Sequence, residues 1–288
     1  MMLAPFVVAG LGIGAVYALS GVGLVLLFRT SGTLNFALGA LGAVAAHVTW
    51  SLVEVGLPAG LASLIGVGVT ACLSLAYGRF FAPLVAGRDR TVRSVATLGL
   101  ALVLLGTLGT FWGEQPRRLT LPTDTAALDI LGVRVTMTRL LAAGAVLVLV
   151  VAVELLLEQT RAGLSMRALA DSRDLGALLG IDVRRSDALA WLISGTLAGI
   201  AGLLLADLVR LQATFLTFLV IPAIAAALLG LLSSVRGAAA GGFAIGVLES
   251  VATAWPDLSP YRSATPFLVA LLFVAFLGRS GAAVRRGS

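Results

Sequence analysis

The chain contains no lysine; all 20 basic residues among its 288 are arginine. A Walker A loop needs a lysine to reach the nucleotide phosphates, so no such loop exists here. Schiff-base chemistry is excluded on the same ground. ATP-driven work therefore falls to another subunit, and no cofactor is expected on this chain. The one cysteine, Cys72, lies inside an apolar run and provides neither a disulfide nor a cysteine metal site. The one histidine, His47, does not make a histidine metal site alone. Charge is also scarce: 12% of residues carry it, against roughly a quarter in a soluble domain.

What is present is apolar. Hydrophobic residues make up 59% of the chain and the mean hydropathy is +1.05, which points to lipid as the main solvent. The net charge of +6 comes from arginines scattered between apolar runs, with no solvated basic face for nucleic acid. A spanning helix needs about 20 mostly apolar residues, because backbone groups in lipid must bond within their own segment. Nine stretches qualify, near 5–28, 33–53, 58–82, 94–113, 138–157, 188–209, 214–232, 238–254 and 264–277. The last two are short, so eight spans plus a re-entrant piece is the alternative. The first run has no positive residue before it and reads as a membrane anchor, not a cleaved signal peptide. The expected fold is all-α: a polytopic transmembrane helix bundle of eight to nine spans, with residues 1–288 as a single domain.

Arginine placement orients the spans. With the N-terminus outside, 14 arginines fall on the inner side and six on the outer. The C-terminus is then cytoplasmic. An outer loop covers about 114–137, where β-branched alternation around Leu131 and Gly132 predicts a small hairpin. An inner loop covers about 158–187 and is the most charged stretch of the chain.

Small residues recur at helical spacing, as in Gly10, Gly14, Ala18 and again in Gly237, Gly241, Gly242, Gly246. Such faces let membrane helices approach closely. Five polar residues sit inside the apolar runs: Asn35, His47, Glu154, Asp207 and Glu249. Residues of this kind mark function unless a local partner or the interface explains them. Glu154, Asp207 and Glu249 lie near span ends, within reach of the interface, and His47 reads as a packed histidine. An intramembrane serine protease built on Ser194-Gly195 would need glycine at position 192, where Leu192 stands. No pair of membrane carboxylates stands out for proton coupling.

The inner loop is the richest segment. Leu164, Ala168, Leu175, Leu178 and Leu179 fall along one helical face, and Gly163 and Gly180 flank the segment as breakers. The pattern predicts a short amphipathic helix. It is either a solvated connector or a helix presented to a cytoplasmic partner's groove.

This loop resembles the coupling loop of the branched-chain amino acid ABC permeases. Thr160, Arg161, Gly163, Arg167, Ala168, Gly180, Ile181 and Asp182 match that pattern in order. The run from Gly23 to Gly39 is similar to the family's apolar segment ending in Asn-Phe-Ala-x-Gly, here Asn35, Phe36, Ala37 and Gly39. A late segment, Ala227–Ala238 followed by Gly246–Ser250, resembles a third family region. Leu38 replaces a usual histidine, and Leu229–Ser233 departs from the usual Gly-Gly-x-Gly-Ser. The resemblance implies the shorter permease subunit of a bacterial inner-membrane importer. It also implies two cytoplasmic ABC ATPases, a second homologous permease and an extracytoplasmic solute-binding protein, with the matched loop residues coupling to the ATPase. Simple-sugar and nucleoside permeases share that architecture. A secondary transporter needing no ATPase is the reading from a different class. Asn35, Phe36, Ala37 and Gly39, an amide and small residues beside an aromatic, are placed along the translocation path.

Overall fold

The computed structural model describes residues 4–119, 127–130 and 133–285. In chain order the helices are α1 (Ala4–Ser31), α2 (Leu38–Glu54), α3 (Ala59–Ala76), α4 (Arg90–Trp112), α5 (Met137–Gln159) and α6 (Arg161–Asp171). They continue with α7 (Arg173–Leu178), α8 (Val183–Leu208), α9 (Ala213–Thr217), α10 (Val220–Leu229), α11 (Val235–Ala252) and α12 (Thr265–Arg285). Strands β1 (Ala127–Ile130) and β2 (Val133–Thr136) form an antiparallel hairpin, with Ala127 opposite Thr136 and Ile130 opposite Val133. Leu131 and Gly132, expected at its turn, lie outside the described residues.

Among the described residues, six helices are long and apolar enough to cross a membrane. A seventh is counted if α5 and α6, which meet at a 79° bend, form one broken span. Two expected spans take a different form. The stretch 33–53 is helical only from Leu38, and 214–232 is broken into α9 and α10. Leu38–Glu54 and Ala213–Leu229 are shorter apolar helices.

α1 is apolar on every side and sits at the centre, packed against α11, α8, α10 and α5. Its seam with α11 is made by small residues. A methyl added at Gly10 would lie 2.6 Å from Val247 Cα, and one at Gly14 would lie 2.9 Å from Phe243 Cα. Gly242 and Gly246 face Ala18 and Gly14 as closely from the other side. Side chains lean toward their own helix N-terminus, so across this antiparallel pair Tyr17 and Glu249 lean toward one another. The Tyr17 hydroxyl donates to Glu249 Oε2 at 2.8 Å. Glu249 therefore turns into the seam and does not reach for the interface. Leu64, Leu102, Val103, Val148 and Leu272 point outward from the bundle, forming the apolar exterior that lipid covers.

Two of the other polar residues, His47 and Glu154, have local partners. His47 is buried; Nδ1 lies 2.8 Å from the Ala43 carbonyl, and the ring meets Trp112 edge-on. Ser194 is fully buried within α8, so its hydroxyl is not presented to a substrate. Glu154 reaches the end of its helix and pairs with Arg236 at 2.7 Å.

Candidate functional site

The inner loop is built from two helices, not one. Thr160 caps α6 by accepting from the Gly163 amide at 3.0 Å. Gly163 lies inside α6 and packs on the α5 backbone; a methyl there would strike Leu157 Cα and the carbonyls of Leu156 and Leu157. It is thus the glycine of the bend, not a breaker. Any bulky residue there would open the bend itself, so it would not report cleanly on docking. Met166 and Leu169 form the buried side of α6, while Leu164 points away. Leu164 is thus on the side open to a partner, and Met166 and Leu169 anchor the helix to the bundle.

Ser172 ends α6 and caps α7, accepting from the Leu175 amide. Gly180, at φ +84°, stops the short helix in a conformation that glycine adopts freely, and the Ile181 amide donates back to the Gly176 carbonyl at 3.0 Å. Asp182 then caps α8 through the Arg185 amide at 3.0 Å. Five of the eight matched residues (Thr160, Gly163, Gly180, Ile181, Asp182) therefore shape the corners of the unit. Ala168 is half-buried, and Arg161 is exposed. Arg167 extends one guanidinium nitrogen to the Glu158 carbonyl at 3.4 Å. Leu175, Leu178 and Leu179 remain uncovered, the last two at 83% and 82% exposure. A cleft of about 240 Å³ opens beside the unit between Arg29, Glu154, Arg167 and Arg236.

Arg173 turns inward: it grips Asp187 with both terminal nitrogens, at 2.6 and 3.1 Å, and also donates to the Thr30 carbonyl at 2.6 Å.

The second region is the non-helical piece between α1 and α2. Asn35 is 1% exposed, and its Oδ1 accepts from the Ala37 amide at 3.0 Å, a local turn that starts α2. Its Nδ2 has no hydrogen-bond partner among the described residues. The piece is held by α4, where Ser94 Oγ accepts from the Leu34 amide at 3.0 Å and Thr97 Oγ1 accepts from the Phe36 amide at 2.9 Å. Ser94 and Thr97 escaped the sequence reading. Their signal was two hydroxyls three residues apart at the start of an apolar helix. Phe36 is half-buried, Ala37 is buried, and Gly39 meets the backbone of Thr217 where α9 ends. The two broken segments thus touch.

Arg117 pairs with Leu211 through both backbone bonds, at 3.0 and 2.9 Å, and its guanidinium lies 4.1 Å above the Trp50 ring. Thr214 donates to Glu114. These contacts tie the chain entering α9 to the segment after α4. Gly39 lies 11 residues before Trp50 on α2, about 16 Å along the axis at the helical rise. Among the described residues no group of three metal-ligating side chains is gathered.

The family described as the branched-chain amino acid transport system permease component matches residues 6–277. The chain belongs to this family. A probable branched-chain amino acid transport permease, LivH of Methanocaldococcus jannaschii, is 29% identical over 82% of this chain and 76% of its own length. The high-affinity branched-chain amino acid permease LivH of Salmonella typhimurium is 24% identical over 91% of this chain and 90% of its own. BraD of Pseudomonas aeruginosa, a high-affinity permease of the same type, is 24% identical over 84% of both chains. As a member of the branched-chain amino acid permease family, the chain is a permease subunit and a multi-pass inner-membrane protein.

Proposed function

We propose that this permease carries branched-chain amino acids, or small polar solutes related to them, inward through a path formed with a second, homologous permease. ATP is hydrolysed by two ABC ATPases seated on α6 and α7, and a solute-binding protein delivers the cargo at the opposite face. The observation that carries this reading is the α6–α7 unit. Its helix caps and glycine corners hold a rigid shape, yet it leaves Leu164, Leu175, Leu178 and Leu179 uncovered outside the apolar exterior. A connector needs no such patch; a helix entering a partner's groove does. Closure of the ATPases favours the state in which the two units are pushed together, which tilts the spans and moves the opening from outside to inside. The path runs past Asn35, Phe36, Ala37 and Gly39, where broken segments meet inside the bundle, an arrangement suited to solute sites at mid-membrane.

In this reading α2 and the α9–α10 pair cross as well, giving nine segments and opposite sides for the two termini. In a Cys72→Ser background, cysteines at Val55 and Asp174, both exposed, are expected to react with an impermeant thiol reagent from opposite sides. Val55 labels from outside and Asp174 from the cytoplasm; labelling from one side contradicts the orientation.

Transport is tested in proteoliposomes holding both permeases and both ATPases, with the cognate binding protein outside and labelled leucine as cargo. Uptake is expected only with ATP and the binding protein present. Uptake driven by an ion gradient without ATPases would make the chain a secondary transporter, and accumulation of ribose in place of leucine would move it to the sugar class.

A further inference from the structure

We propose that Arg173 is the residue through which movement of the α6–α7 unit reaches the broken segment at the path. The inference rests on the ATPase-docking reading above. α7 is only six residues long and carries two kinds of contact. Its outward side ends in the uncovered leucines. Its first residue, Arg173, is half-buried and faces the bundle, clamped to Asp187 at the start of α8 and to the Thr30 carbonyl near the end of α1. A displacement imposed on the leucines is therefore delivered to Thr30.

The end of α1 is arranged to pass that displacement on. The last carbonyls of a helix lack internal partners. Here Arg173 takes that of Thr30, and Arg93 on α4 takes that of Ser31 at 2.8 Å. Gly32, at φ +70°, breaks the helix immediately afterwards. Residues 33–37 follow without regular backbone bonding, held by Ser94 and Thr97 of α4 and leading to Asn35. The close seam with α11 holds α1 over Gly10–Ala18, so the parts left to yield are its end at Thr30 and residues 32–37. The amides of Thr33, Leu34, Phe36 and Ala37 bond to side-chain oxygens in place of a helix ladder, so this segment follows the side chains that hold it.

Only arginine fits this role. A guanidinium offers parallel donors to one carboxylate and a further hydrogen to a carbonyl in a fixed plane. A lysine ammonium at position 173 has three hydrogens but a single nitrogen on a shorter, non-planar head, so it does not reproduce the two-nitrogen grip on Asp187. Arg173 is thus a positioning residue, acting on the path through α1.

Two measurements test the proposal. In the purified permease alone, hydrogen–deuterium exchange at the amides of residues 33–37 is expected to be about tenfold faster in Arg173→Ala. The exposed neighbour variant Arg184→Ala is expected to leave those amides unchanged. In the reconstituted transporter, Arg173→Ala and Arg173→Lys are both expected to keep their ATPases and hydrolyse ATP, while solute moved per ATP falls about tenfold. Unchanged solute per ATP in Arg173→Ala would overturn the proposal, as would unchanged exchange. Loss of the ATPases from Arg173→Ala alone would also overturn it and make Arg173 a docking residue. Failure of the wild-type permease to hold ATPases would instead sink the docking reading itself.

Discussion

Gly39→Leu is expected to lower solute uptake by about a hundredfold while the permease still purifies as a single species. A methyl at Gly39 would overlap the Thr217 carbonyl, with the carbonyl carbon and Cα at 2.7 and 2.8 Å. All three obstacles are backbone, so no side-chain rotation relieves them. Overpacking of this kind costs about 1–3 kcal/mol where the surroundings can shift. Here the shift is restricted, because α9 is tied to the Arg117 strand contact and to Glu114 through Thr214. The strain therefore falls on the junction of α2 and α9, where the proposed path runs. Assembly survives because the larger seams, α1 with α11 and α3 with α8, do not include Gly39. Gly39→Ala meets the same backbone and is expected to lose about tenfold, since 1.4 kcal/mol is a factor of ten. Gly99→Leu on α4, where nothing lies within 4 Å, is expected to behave as wild type. Transport assays on the three variants, with gel filtration beside them, check the series. Near-normal uptake by Gly39→Leu would remove these residues from the path.

Most of the helices were legible in the sequence because lipid imposes one dominant requirement, an apolar run that bonds its own backbone. The corners of the inner loop were legible as well, through resemblance: Thr160, Gly180 and Asp182 are capping and stop residues at the positions where caps and stops occur. The breaks were harder to read. Residues 33–37 carry only Thr33 and Asn35 as polar interruptions and the α9–α10 junction carries none, and hydropathy does not record whether a backbone is wound. Asn35 was the visible clue, but the partners that hold its segment, Ser94 and Thr97, lie about 60 residues away along the chain. Arg173 was hidden for a similar reason. Periodicity reads the loop as one helix, whereas the turn at Ser172 rotates α7 so that Arg173 faces Asp187. Gly163 illustrates the same limit, since a bend-forming glycine and a helix-breaking glycine look alike until the packed neighbour is known.

Leu178→Asp with Leu179→Asp is expected to release the ATPases. Both side chains are more than four-fifths exposed and make no core contact, so the double change leaves the bundle's own packing untouched. Burying one leucine against a partner contributes about 1.5–3 kcal/mol. Two together contribute about 3–6 kcal/mol, or roughly a hundredfold to ten-thousandfold in affinity, and the aspartates add a desolvation cost. Gly163 variants do not serve this test, because they disturb the α5–α6 bend. The most direct measurement is therefore co-purification of the ATPases with wild-type and Leu178→Asp/Leu179→Asp permease, at equal permease yield and gel-filtration profile. ATPases retained by the wild type and lost from the double variant, together with solute-stimulated ATP hydrolysis, is the predicted result. A double variant that holds its ATPases and hydrolyses ATP as the wild type does would contradict the account and leave α6 and α7 as a connector.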